Sequence, residues 1–238
     1  MLKRAKDLVR AAALGVRRDR TTGHLYYRVD GVRVYLRFPE ECVRTAHRRL
    51  AEEAVYFRHY RPSGRDCVVD VGAGLGTEIV ALAREAPELR YVAVEIQPWV
   101  YECLCLTMAQ LPDGYRPFGL AIGAAGPVRI APTRAGIDSS IVEGGPVPVE
   151  TVSWHSFAAR HGIDRVDLLK MNVEGAEAEL LEHIDLAAVE RVIVGVHDFR
   201  AERGEGERFR TRARVEERLR GAGFSLTPVE PSWIFARR

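Results

Sequence analysis

Residues 68–83 read VVDVGAGLGTEIVALA, and this stretch decides the fold. It opens within the apolar run CVVDV, which has the β-branched content of a buried strand. Glycines follow at alternate positions, Gly72, Gly74 and Gly76, and then EIVALARE, whose apolar residues recur at helical spacing. The reading is strand, tight glycine turn, helix. Glycine suits such a turn because the backbone takes conformations closed to other residues and a ligand can approach the main chain without meeting a Cβ. The free N–H groups that open the helix offer donors and a partial positive charge to a polar ligand tail. A nucleotide-like cofactor is the natural occupant.

Spacing narrows the cofactor. A dinucleotide fingerprint needs glycine at its first, third and sixth positions, and counted from Gly72 the sixth is Thr77. That weighs against NAD. Asp70 followed by alternate glycines resembles the D-x-G-x-G-x-G motif of class I S-adenosylmethionine-dependent methyltransferases. RYVAVE, residues 90–95, is a second apolar strand, and its closing Glu95 is placed where a carboxylate accepts ribose hydroxyls, about 20 residues further on. The expected cofactor-binding set is Asp70, Gly72, Ala73, Gly74, Gly76, Thr77, Glu95 and Ile96.

With 238 residues and 47% hydrophobic content, the chain can bury a full core and suits one large α/β domain with an appendage. Lys and Arg number 35 against 33 Asp and Glu, a net +2. No global field for nucleic acid follows, so a nucleic-acid partner is unsupported. No apolar stretch approaches the roughly 18 residues of a membrane span, and no secretory h-region stands out. Cys42, Cys67, Cys103 and Cys105 form no C-x-x-C pair and have no zinc-like histidine spacing. Reduced thiols in the cytoplasm are expected.

The first 20 residues form a basic segment whose Leu2, Leu8, Val9, Ala12 and Ala13 share one side of a helix. That face is small and alanine-rich, which favours a docking helix or mobile arm over a membrane-surface helix. HLYYRVDGVRVYLR then gives two alternating runs meeting at Asp30-Gly31, a strong hairpin signal. A charged helical stretch over 43–59 ends at Arg61-Pro62-Ser63-Gly64. Residues 1–65 are therefore expected as an N-terminal cap (helix and β-hairpin) beside a cofactor domain of residues 66–238. Tyr26, Tyr27 and Tyr35 serve either that cap's closure over a site or plain strand packing.

Beyond Glu95, strand and helix alternate as a parallel sheet demands. Pro98 begins a helix through WVYECLCLTMAQL, and Pro112-Asp113-Gly114 ends it. YRPFGLAIG reads as the third strand. PVRIAP and VPVETV flank a loop, residues 133–145, and read as a hairpin with Ser139 and Ser140 at its exposed connection. That loop is a substrate gate or a plain surface loop. Residues 154–161 read as a short helix.

The second informative stretch is VDLLKMNVEGAEAELL, residues 166–181: a strand, a turn carrying Asn172 and Glu174, and a helix opening near Gly175-Ala176-Glu177. Ligands of open α/β sheets bind at the carboxyl ends of the strands, so Asn172 and Glu174 are expected beside Asp70 and Glu95. RVIVGV, the fifth strand, delivers His197 and Asp198 to the same edge. Residues 207–220 read as a charged helix, and FSLTPV and SWIFARR as the last two strands.

Taken in order, VVDVGAGLGTE, YVAVE, ETVSWHSF and DLLKMNVEGAEAELL resemble the FkbM family of S-adenosylmethionine-dependent methyltransferases over residues 55–237. The resemblance implies a Rossmann-like core, a mainly parallel seven-stranded sheet with an antiparallel last strand. It also implies methyl transfer, usually to a hydroxyl of a natural product, sugar or glycan; the alternatives are a nitrogen, carbon or macromolecular acceptor, or cofactor binding without catalysis. Two positions depart from it: Asn172 stands where the family commonly has Asp, and Gly195 where an acidic residue often sits.

The sulfonium methyl is already activated, so the main task is alignment of an acceptor oxygen, helped by a positioned base. His197 is the first expectation for that base because histidine titrates near neutral pH, with a core or surface histidine as the bland alternative. Glu174 is the second, or it orients the acceptor or the cofactor's amino group. Asn172 can position a hydroxyl and cannot remove a proton. Lys170, in a buried strand, is expected to pair with a carboxylate. An oxygen-rich set of Asn172, Glu174 and Asp198 would suit Mg²⁺, although the amide disfavours it; no metal ligand is assigned. The expected partner is a small hydroxylated or sugar-containing acceptor.

Overall fold

The computed structural model describes residues 14–39, 41, 55–123, 128–131, 140–141 and 145–238. The expected N-terminal helix, most of the 43–59 stretch and most of the 133–145 loop lie outside the described residues.

Near the N-terminus, β1 (Arg17–Arg18), β2 (Leu25–Val29) and β3 (Val32–Leu36) form a small antiparallel sheet. The expected helix over the first 20 residues is thus corrected at its end, because Arg17 and Arg18 pair with Tyr26 and Leu25. The Asp30-Gly31 turn forms as read, with φ of 48° and 87°, the positive pair that a two-residue hairpin favours. The inner face of the sheet buries Tyr27, Val29, Val34 and Leu36 against Val80, Val100 and Cys103 of the two helices that follow.

The core follows in alternation: β4 (Cys67–Val71), α1 (Thr77–Glu85), β5 (Arg90–Val94), α2 (Pro98–Met108) and β6 (Tyr115–Phe118). Then come β7 (Ala121–Ile122), β8 (Val128–Ala131), β9 (Ser140–Ile141), β10 (Val147–Val149), β11 (Thr151–Val152) and α3 (Trp154–His161). The C-terminal part supplies β12 (Leu168–Met171), α4 (Glu177–His183), β13 (Arg191–Gly195), α5 (Asp198–Glu202), α6 (Arg212–Gly221), β14 (Ser225–Glu230) and β15 (Trp233–Arg237). Seven strands make one sheet in the order β14-β15-β13-β12-β4-β5-β6. Within it β15 alone runs opposite to the other six strands. This is the expected α/β, Rossmann-like architecture, with the order reversing between β4 and β12.

Strand periodicity explains the layering. Cys67, Val69 and Val71 of β4 join one apolar cluster with Phe157, Leu181, Val215 and Leu219. Val68 points into the other, with Ile79, Leu82, Leu104 and Met108. Both faces are covered, and this is why all five β4 residues are buried.

Three element readings change. The third strand breaks into β6 and β7 at Gly119, where a Cβ would lie 2.5 Å from the Tyr101 ring; β7 leaves the main sheet and pairs in parallel with β11. The hairpin of β8 and β10 forms, but Ser140 belongs to β9, which pairs with β8, instead of an open connection. The charged helix begins at Arg212, after a 3₁₀ turn at Glu207–Phe209, because the Asp198 carboxylate accepts the N–H groups of Thr211 and Arg212 at 3.2 and 3.0 Å. Among the described residues no helix is long and apolar enough to cross a membrane.

Candidate active site

At the carboxyl edge of β4, Gly72, Gly74 and Gly76 all take positive φ, 84°, 59° and 77°. They serve different needs. A Cβ on Gly72 would sit 2.1 Å from the Asn172 carbonyl oxygen, so this glycine lets the two loops at the switch point touch. A Cβ on Gly74 would meet nothing within 4 Å, which leaves main chain open to a ligand. Gly76 caps α1 with no side chain of its own to bond the first-turn N–H groups.

Glu95, at the end of β5, clasps this loop. Its Oε2 accepts the Gly74 N–H and its Oε1 the Gln97 N–H, each at 2.9 Å. Each oxygen keeps a second lone pair. Burial raises the Glu95 carboxyl above its ordinary value, against the pull of the Gln97 and Gly74 N–H groups. Ile96 packs against the cluster of Ala121, Ile130 and Val149. Ala73 is buried, with its N–H on the Val94 carbonyl. Thr77 is also buried, its Oγ1 hydrogen-bonded at 2.9 Å to the Tyr27 hydroxyl. The open glycine loop, uncapped helix start and clasping carboxylate together fit a nucleoside bearing a carboxylate tail.

Asp70 departs from that role. Its carboxylate is fully buried, accepts the Tyr91 hydroxyl at 2.7 Å and lies 2.9 Å from the Lys170 ammonium. Lys170 also reaches Glu78 at 2.6 Å and stands 4.7 Å from the centroid of the Tyr56 ring. Burial raises the Asp70 carboxyl, offset in part by Lys170. Burial alone would lower Lys170, but Asp70 and Glu78 outweigh it and hold the ammonium charged. The network fastens β4, β12, α1 and β5 beneath the loop. Lys170 thus pairs as expected, and Asp70 anchors the loop from below instead of lining it.

The second cluster follows β12 and β13. Glu174 has φ 55°, a left-handed backbone uncommon outside glycine, and this turns its carboxylate toward Arg200 at 2.9 Å and His197 Nε2 at 3.3 Å. The other ring nitrogen of His197 lies 2.5 Å from Glu177, which is fully buried. Burial alone would lower His197, but its bonds to Glu174 and Glu177 raise it to about 9. His197 is therefore an imidazolium at neutral pH, and the reason for expecting it as a neutral base falls away. Asn172 Oδ1 is buried without a hydrogen-bond partner, near the Cβ position of Gly195. The Trp233 ring takes up the space beside that glycine.

Asn172, Glu174 and His197 are thus brought together at the edge that carries the glycine loop. Asp198 has a structural use: its Oδ2 caps α6. Among the described residues no group of three or more His, Cys, Asp or Glu could hold a metal ion. Sequence reading gave no role to Glu78, Tyr91, Glu177 or Arg200, and left Tyr27 between closure of the cap over a site and strand packing. Glu177 is the first residue of α4, three positions after Glu174.

Residues 70–226 match the methyltransferase FkbM domain. No curated protein matches the sequence. Solved structures similar to the chain include Aeropyrum pernix fibrillarin with natively bound S-adenosyl-L-methionine, at 14% identity and TM-score 0.47 over 92% of this chain and 84% of that one. Another is a precorrin-6y C5,15-methyltransferase from Geobacter metallireducens, at 10% identity and TM-score 0.46 over 90% and 93%. A third is a S-adenosylmethionine-dependent methyltransferase from Aquifex aeolicus, at 14% identity and TM-score 0.43 over 80% and 86%. These likenesses are too distant to assign a substrate. The domain match, spanning well over half of its length, establishes that the chain belongs to the FkbM family of S-adenosylmethionine-dependent methyltransferases.

Proposed function

We propose that the protein methylates a hydroxyl oxygen of a small, hydroxyl-rich acceptor such as a natural product, sugar or glycan. The observation that carries this reading is the cluster of Asn172, Glu174 and His197 beside the glycine loop, in which an unpartnered amide oxygen and a held carboxylate stand at one edge. Such groups grip a hydroxyl and take its proton.

When bound, S-adenosylmethionine supplies an activated sulfonium methyl and leaves as S-adenosylhomocysteine. Glu95 would accept its ribose hydroxyls, the first turn of α1 would receive its carboxylate, and Gly74 and Ile96 would give backbone and apolar contact. Asn172 fixes the acceptor's orientation through its amide, whose Oδ1 becomes available when the side chain turns toward the edge. Glu174 takes the hydroxyl proton, while Arg200 and the imidazolium of His197 hold its carboxylate. His197 moves, in this reading, from base to the group that holds the base. The free thiols of Cys67, Cys103 and Cys105 agree with a reducing, cytoplasmic setting. The same reading takes residues 66–238 as the catalytic domain and the hairpin of β2 and β3 as part of what is appended to it.

The test is a methylation assay with hydroxylated small molecules, sugars, amines and RNA as acceptors, with the methylated product identified by NMR. An O-methyl product is expected, and Glu174→Gln should lower kcat by about 10²-fold or more while leaving S-adenosylhomocysteine affinity within about threefold. Product on amines or RNA alone would refute the hydroxyl acceptor.

A further inference from the structure

We propose that the N-terminal hairpin is a working part of the cofactor site and that Tyr27 is a positioning residue for the glycine loop. The inference rests on the cofactor reading above, and it concerns a residue outside the family match, which begins at residue 70.

The Tyr27 hydroxyl and Thr77 Oγ1 are 2.9 Å apart, both residues are buried, and 50 positions of sequence separate them. Thr77 opens α1 directly after Gly76, whose left-handed backbone supplies no capping side chain. Nothing from the cap itself therefore fixes the direction of the first turn, and a helix end without a side-chain cap frays more readily. The Tyr27 hydroxyl supplies a fixed point from outside the helix.

Tyr27 is itself held firmly. Its strand pairs with β3, Tyr27 opposite Val34, and β3 is fastened to α2. The Tyr35 N–H donates to Thr107 Oγ1 at 3.1 Å, and the Gln110 amide both accepts the Arg33 N–H at 3.1 Å and donates to the Arg33 carbonyl at 2.8 Å. Asp19 ties the outer side by accepting the Tyr35 hydroxyl at 2.7 Å and the Arg33 guanidinium at 2.6 Å. Leu75 of the glycine loop and Val80 of α1 lie in the same apolar cluster as Tyr27. The hairpin thus bridges α2, which follows Glu95, and α1, which follows the glycines.

A bond present with and without ligand changes affinity by raising the fraction of protein whose loop is ready to bind. Losing one neutral hydrogen bond of this kind should lower the ratio of ready to unready loop roughly fivefold and, with the ready form in the minority, the affinity by the same factor. Calorimetry with S-adenosylhomocysteine on full-length protein tests this. Tyr27→Phe and Thr77→Val should each weaken binding about fivefold, and the double variant should be no weaker than either one, because both break the same link. Thr77→Ser, which keeps the hydroxyl, should bind like wild type.

Hydrogen exchange of the ligand-free protein gives an arm independent of the cofactor: Tyr27→Phe should speed exchange of the amides of residues 80–83, which begin with the Val80 N–H on the Gly76 carbonyl, and leave those of β5 unchanged. A Tyr27→Phe protein that is less stable but exchanges like wild type at 80–83, or binds S-adenosylhomocysteine within twofold of wild type, would overturn the inference and leave Tyr27 as packing. Wild type that fails to bind the ligand would overturn the cofactor reading instead, with the exchange result still deciding on Tyr27.

Discussion

Replacing His197 by Gln should remove a stabilisation that depends on pH in a definite direction. The imidazole is 4% exposed and titrates at about 9 against an ordinary 6.5. That gap corresponds to roughly 3 kcal/mol at about 1.4 kcal/mol per pH unit. Because the folded value is raised, the stabilisation is complete below about pH 6.5 and is lost as the pH rises through about 9. Roughly 2.5 kcal/mol of it remains at pH 7 and under about 0.5 kcal/mol above pH 9. Urea unfolding of wild type and His197→Gln at pH 7 and pH 9.5 should show the difference between them shrinking by roughly 2 kcal/mol. The same proton bears on catalysis. With His197 holding Glu174, kcat should fall as the pH passes 9; with His197 as the base, it would climb through that value. A stability difference that is constant or grows with pH, or an NMR titration of the His197 ring with a midpoint below 7, would refute the reasoning.

The glycine loop and the buried lysine give further expectations. Gly72→Ala places a Cβ 2.1 Å from the Asn172 carbonyl at a φ of 84°, so it should cost at least about 3 kcal/mol in urea unfolding; a cost under about 1 kcal/mol would contradict the contact. Gly74→Ala meets nothing within 4 Å and should cost only the roughly 1–2 kcal/mol of a left-handed alanine, while weakening S-adenosylhomocysteine binding at least tenfold by calorimetry. Lys170→Met leaves Asp70 and Glu78 buried without their cation and should destabilise by about 3–5 kcal/mol. A loss below about 1 kcal/mol in urea unfolding would show that the network is not charged as described.

Local patterns carried much of this into the sequence. DVGAGLG dictates a tight turn wherever it occurs, Asp30-Gly31 dictates a hairpin, and LLKMNVEG dictates a strand ending in polar residues. In an open α/β sheet those strand ends share one edge, so Glu95, Asn172, Glu174 and His197 could be placed near one another before any coordinates. Relations between distant residues were not legible. Asp198 looks like a site carboxylate until the start of a later helix is seen bonded to it. The His197 proton depends on Glu177 from another element, and Asp70 belongs to a motif that binds cofactor in the resemblance yet is spent here on Lys170 and Tyr91. The strand breaks at Gly119, where the Tyr101 ring packs against the backbone, and Tyr27 reaches Thr77 across 50 residues. Each is a packing fact set by tertiary structure, which periodicity and spacing do not encode.

The central claim is that the glycine loop clasped by Glu95 holds S-adenosylmethionine. Calorimetry of the wild-type protein and Glu95→Ala with S-adenosylhomocysteine, with NAD as control, tests it most directly. Glu95→Gln, which still accepts one hydrogen bond, guards against loss of the loop itself. The account predicts micromolar binding by wild type, weakening of tenfold or more, about 1.4 kcal/mol, in Glu95→Ala, a smaller loss in Glu95→Gln, and no heat with NAD. Binding of NAD without S-adenosylhomocysteine, or full affinity in Glu95→Ala, would contradict it.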